Sequence, residues 1–285
     1  ALAGGAAGSM PLASYVRDKV VVPQFSNLSS EILAQQGSLS SDVVAALKSK
    51  MLDKDVAEHL HVLKTKNPGG SLVTVGKNFL PSRIEFEKSL FGGGIPTFEG
   101  TLDPFKAVKD MRKVRGFVEL GGSQANPVTL AHELGHATSR NSGTLLRGTG
   151  LPNAMYQMGN SLARSGTKGA LAAAILAGSF DSEDKRKWAV PGILAATQVP
   201  LLAEEGIASL KAMEGLRALK DMPGNRALEV VGDSASSKLL APAVMENAGK
   251  LLRRAWGTYG LTSAGLLAAP LLAIGARSQW DKSRD

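Results

Sequence analysis

Three apolar segments in the second half of the chain limit what it can fold into. They are GALAAAILAGSF (169–180), AVPGILAATQVPLLA (189–203) and WGTYGLTSAGLLAAPLLAIGA (256–276). The last has 21 residues, long enough to cross a bilayer at a helical rise of about 1.5 Å per residue. The first two, at 12 and 15 residues, are short for a span and suit buried core helices or re-entrant pieces. Apolar residues make up 44% of the chain and aromatics only 5%, so these segments are built from Ala, Leu and Val and suit helices in close contact. Gly169, Ala173 and Ala177 lie four apart, a spacing that lets backbones approach in lipid. Trp188 and Trp256 open the second and third segments and Trp280 follows the third, where interfacial aromatics are found. The expectation is a mainly α chain with two or three apolar, transmembrane helices. A soluble, alanine-rich bundle is the alternative.

The net charge is +8, with the basic residues spread out and no alternation of aromatic and basic side chains. That pattern argues against a nucleic-acid partner and for an anionic membrane surface. The chain has no cysteine, which excludes a disulfide framework and any thiolate metal site. A metal here must be held by His, Asp or Glu. The first residues, ALAGGAAGSM, carry neither an initiator Met nor an intact signal peptide, as in a processed start or a fragment.

Three regions are expected. Residues 1–40 are rich in Gly, Ala and Ser and suit a flexible arm. Residues 41–110 form a helical and mixed region. From Ser41 to about Lys66 the apolar residues Val44, Leu47, Met51, Val56, Leu60 and Leu63 recur near a helical period, and NPGG (67–70) ends that helix. SLVTV is strand-like. FGGGIP lacks the preceding strand and following GK[ST] of a phosphate loop and is expected as a plain flexible loop. DPFKAVKDMRKVR (103–115) has the pattern of a basic amphipathic helix. Residues 111–285 hold the chemistry. GFVEL (116–120) predicts a strand, GGSQ a turn, and Asn126-Pro127 an N-cap with Pro at the first helical position.

The helix so started carries LAHELGHATSR (130–140). Residues four apart share a helix face, so His132 and His136 can offer two imidazole nitrogens to one ion. Glu133 lies about 100° round the helix, unsuited as a ligand but able to reach a water on the ion as general base. Gly135 leaves room between the histidines for substrate or a neighbouring strand. Two of the chain's four histidines are used here, among small apolar neighbours that would otherwise bury the polar trio unfavourably. His59 and His61, two apart on the expected helix, point to different faces and suit structural or solvated roles. The third ligand must be a carboxylate, since no histidine follows His136. The best source is PLLAEEGIASLKAM (200–213), where Glu204 and Glu205 would otherwise be the acidic first turn of a helix.

AHELGHA followed by EGIAS resembles the gluzincin zinc metallopeptidases, whose second motif is E-x-x-A-[DS]. The likeness is nearest to the neutral zinc metallopeptidases of bacterial membranes, the YugP-type group. It extends to order. FVELGGSQANP precedes the H-E-x-x-H helix and two apolar segments follow it. E-x-x-A-S comes next, then ENAGKLLRRAWGTYG running into the last apolar segment. It covers about residues 112–276. The resemblance implies Zn2+ held by His132, His136 and Glu205, with Glu133 as general base and later proton donor to the leaving amine. Ser209 would stand where many gluzincins have an Asp that orients a ligand histidine, a weaker support. The oxyanion stabiliser is not evident; Tyr156, Tyr259 and Arg217 are candidates. Phe117 to Leu120 is expected to be the edge strand that pairs with an extended peptide.

The function expected is therefore a membrane-associated zinc metalloendopeptidase acting on a peptide or protein substrate by water activated at zinc. The Lys and Arg residues on the motif side put the active site on the cytoplasmic face. The rival is a non-catalytic structural or membrane-pore protein of a particle, keeping zinc for stability.

Overall fold

A computed structural model of the chain describes residues 39–66, 69–74, 94–103, 114–141, 182–219 and 245–261, with residues 263 and 264 and a few isolated positions. The expected arm (1–40), the first apolar segment (169–180), most of the helix at 103–115 and the end of the third apolar segment fall largely or wholly outside them. The chain divides into two compact units. One comprises residues 1–25, 143–206 and 253–285, the other residues 26–142 and 207–252.

The second unit carries the β structure. Helix α1 (Ser41–Met51) starts where the Ser40 hydroxyl accepts from the Val43 amide at 3.4 Å. Asp42 lies in its first turn and Lys48 and Lys50 in its last, matching the helix dipole. Val43, Val44 and Leu47 are its buried face. The expected helix to Lys66 does not continue. After α1 comes only a short α2 (Lys54–His59), and Leu60–Thr65 is strand β1. His61 therefore lies on a strand, and only His59 ends a helix. The cause is non-local. β1 pairs in parallel with β5 (Gly116–Gly121) from Leu60↔Gly116 to Thr65↔Gly121, and those six positions outweigh a period shared with a helix.

The remaining strands are β2 (Gly69–Thr74), β3 (Ile95–Thr97) and β4 (Gly100–Leu102), and the sheet order is β2-β5-β1-β3-β4. Gly69 and Gly70 of NPGG open β2, and the element before NPGG is strand β1 rather than a helix. The end of FGGGIP is not plain loop: Gly94, at φ 111, opens the β3–β4 hairpin that turns on Phe98 and Glu99. Most consequentially, β5 is not an edge strand. β1 and β2 occupy both its sides, and every residue of GFVELG except Glu119 is buried. Among the described residues β2 and β4 are the edges.

β5 passes through a 3-10 turn (Gly122–Gln124) into helix α3 (Pro127–Asn141). The Asn126 side chain accepts from the Thr129 amide at 2.9 Å, the cap expected from the sequence. α3 packs on α1, β2 and β5, and its Val128, Leu130, Leu134 and Ala137 are buried.

Helix α4 (Glu183–Ala218) runs for 36 residues from the first unit into the second, through Pro191 and Pro200. The charged run EDKRK (183–187) forms its first turns, and the second apolar segment follows within it. Gly192–Ala218 is long and apolar enough to cross a membrane. It is the one such helix among the described residues. Helix α5 (245–261) is the last described. In the first unit Tyr259 packs on Leu201, and the Ser263 hydroxyl donates to Gln198 Oε1 at 3.0 Å. The described residues are thus mainly helical with one small mixed sheet.

Candidate metal centre

α3 meets α4 backbone to backbone, and Gly135 is the reason. A Cβ on Gly135 would overlap the Ala208 carbonyl oxygen and lie 2.9 Å from Ala208 Cα. The space left by Gly135 is thus filled by helix α4, not by a strand or a substrate. Ala208, fully buried, is small enough to allow the crossing. The Gly135 carbonyl accepts from the Thr138 hydroxyl at 2.7 Å.

This contact sets the side chains on either side. One residue beyond Ala208, the Ser209 hydroxyl lies 3.3 Å from His132 Nδ1. With Nδ1–H donating to Ser209, the His132 lone pair is left on Nε2. One turn before Ser209 on the same helix stands Glu205. His132, His136 and Glu205 offer ligand atoms that all lie within 4.8 Å of one another. The two rings stand edge to face, 4.8 Å between centroids and 81° between planes.

The donor set could hold a metal ion. It has two imidazoles and one carboxylate, with no competing cysteine. Glu133, adjacent to His132, is 8% exposed, His136 5% and Glu205 4%, while His132 is half-buried and gives the site its solvent edge.

Glu204 and Glu205 lie in the interior of α4, so neither belongs to an acidic first turn. Glu204 is fully buried yet is not part of the metal-binding group. Of the oxyanion candidates, Arg217 is exposed three turns along α4, Tyr259 packs on Leu201, and Tyr156 lies outside the described residues. Gly135 stands out in the sequence as a gap between the histidines and Ala208 as part of E-x-x-A-S, but only the fold makes them partners. Lys48, buried on α1, bonds Glu99 at 2.8 Å across 51 residues and has no local signature.

Comparison with models of protein families, with curated proteins and with solved structures returns no match.

Proposed function

We propose that the chain is a zinc metallopeptidase of the gluzincin kind that works at a membrane. The observation that carries this reading is the convergence of His132, His136 and Glu205 within 4.8 Å, with Ser209 on His132 Nδ1. When bound, zinc supplies Lewis acidity that brings a water near neutral pKa. The Glu133 carboxylate, next to His132 on the same helix, would serve as general base, taking the proton of an attacking water as it adds to the peptide carbonyl carbon. As the C–N bond breaks, Glu133 returns the proton to the leaving amine, so acid and amine products balance the water consumed. Ser209 keeps His132 in the ligating tautomer. Strand β2, at the sheet edge beside α3, takes the place expected of Phe117–Leu120 in pairing with an extended peptide.

The depth of the group supports a second reading. Three of the four acid and ligand side chains are less than a tenth exposed, as in a closed, structural zinc site. Glu133→Gln separates the two. In the enzyme it keeps zinc and loses hydrolysis of a fluorescently quenched casein by several orders of magnitude. In a structural protein wild type and variant are alike inactive while both hold zinc.

A further inference from the structure

Along the described part of α4 burial divides largely by face, with Ile193 exposed between the two sides, but hydropathy does not. Leu194, Leu201, Ala208 and Ala212 lie on the buried side with Glu204 and Glu205. About 180° away, Gly192, Ala196, Val199 and Leu210 form an exposed stripe. Val199 is 62% and Leu210 67% exposed, and between residues 192 and 210 every exposed position is apolar. Less than half of the most apolar stretch, 44%, is buried, whereas the core helix of a water-soluble protein is mostly covered. A helix apolar on both faces belongs in a core or in lipid.

Polar groups run the opposite way. Thr197 and Gln198 on α4 and Ser263 beyond α5 are 1–2% exposed and hydrogen-bonded in a chain. Ser263 donates to Gln198, Gln198 to Thr197 Oγ1 at 3.1 Å, and Thr197 to the Leu194 carbonyl at 2.7 Å. Polar side chains turned inward and satisfied, with apolar ones outward, is the arrangement a hydrocarbon solvent demands.

The ends of the stripe are also marked. Trp256 is 47% exposed, its indole N–H donates to the Leu202 carbonyl at 2.9 Å, and its ring covers Gly206. Arg253 and Arg254, both exposed, lie within one turn of it on α5. At the other end Trp188 follows the charged run EDKRK (183–187) on α4. From residue 188 to 206 a helix rises about 27 Å, close to the roughly 30 Å of a bilayer's hydrocarbon core. An exposed tryptophan with arginines within a turn of it is how a span meets headgroups.

We infer that the exposed face of α4 contacts the acyl chains of an anionic bilayer from about Trp188 to Gly206, with Trp256, Arg253 and Arg254 at headgroup level. The turn Leu202–Gly206, which carries Glu205, then lies at the membrane surface. Resting on the peptidase reading, the substrate is a polypeptide segment at or emerging from that surface.

The test uses the full chain in vesicles, with Trp188→Phe and Trp280→Phe leaving Trp256 as the sole indole. In mixed phosphatidylcholine and phosphatidylglycerol vesicles, a quencher near the headgroup should dim Trp256 more than one at mid-chain. Val199→Asp should weaken partitioning on the order of a hundredfold. Arg253→Gln with Arg254→Gln should weaken it about twentyfold in the anionic vesicles and little in phosphatidylcholine alone. Unquenched Trp256, or a Val199→Asp protein that partitions like wild type, would overturn the inference and assign the face to another segment or a second copy. Zinc content is measured on each sample. Its absence would sink the peptidase reading and the substrate clause while leaving the lipid contact standing.

Discussion

Gly135→Ala tests how the site is built. The new Cβ would meet the backbone of Ala208, with Cα at 2.9 Å and the carbonyl carbon at 3.0 Å, and backbone cannot rotate aside. Ordinary carbon contacts are about 3.5–4.0 Å, so α3 and α4 must part by roughly 0.6–1 Å. The bond from Ser209 to His132, already 3.3 Å, then stretches past hydrogen-bonding distance, and the ligand group opens by a similar amount. Stability should change little. Overpacking costs about 1–3 kcal/mol, while replacing a mid-helix glycine by alanine returns about 1 kcal/mol. Zinc affinity should change much more. Losing a ligand's supporting bond weakens metal binding roughly 10–100-fold, and ligand displacement adds to that. Gly206→Ala is the control, since its Cβ would sit at 3.5 Å from the Trp256 indole nitrogen, an ordinary contact, right beside Glu205. Chelator-competition titration of zinc and urea unfolding of the metal-free protein, on both variants, measure the two effects. Wild-type zinc affinity in Gly135→Ala would refute the reasoning, because the close helix crossing would then have no part in the site.

Other substitutions probe single links. Ser209→Ala should keep the fold and lower zinc affinity about tenfold or more in the same titration, through loss of the His132 tautomer lock. Asn126→Ala removes the buried acceptor for the Thr129 amide and should destabilise by about 1–2 kcal/mol in urea unfolding. Burial, then the Lys48 and His59 charges, hold His61 below its usual 6.5 against the opposing pull of Glu99. The unfolded chain therefore takes this proton first as pH falls through 6.5, and stability drops from there toward the folded value. His61→Leu should flatten that part of the profile, measured by urea midpoints with chelator present, and should leave stability above 6.5 with the same slope as wild type.

The strands and turns around the metal helix were legible because their signals are local. GFVEL, GGSQ and the Asn126-Pro127 cap each specify their own backbone, and H-E-x-x-H specifies its own face. Leu60–Thr65 was not legible as a strand. Val56, Leu60 and Leu63 fit a helical period, and pairing with Gly116–Gly121, more than fifty residues on, decides otherwise. The same non-locality hides the place of β5 in the sheet. A run of apolar residues suits an edge or a centre, and only β1 and β2 settle it. The length of α4 was obscured by Pro191 and Pro200, which mark helix breaks in isolation but lie within this one. Glu205 was singled out by its motif, while its burial and the place of Ser209 beside His132 are visible only in the fold.

The central claim is a metal held by His132, His136 and Glu205, and elemental analysis of zinc in metal-replete protein tests it most directly. Wild type is measured beside Glu205→Gln and Glu204→Gln, both buried on the same turn of α4. The account predicts one zinc per chain in wild type and Glu204→Gln, and its loss mainly in Glu205→Gln. Wild type without zinc, or equal loss in the two variants, would contradict it.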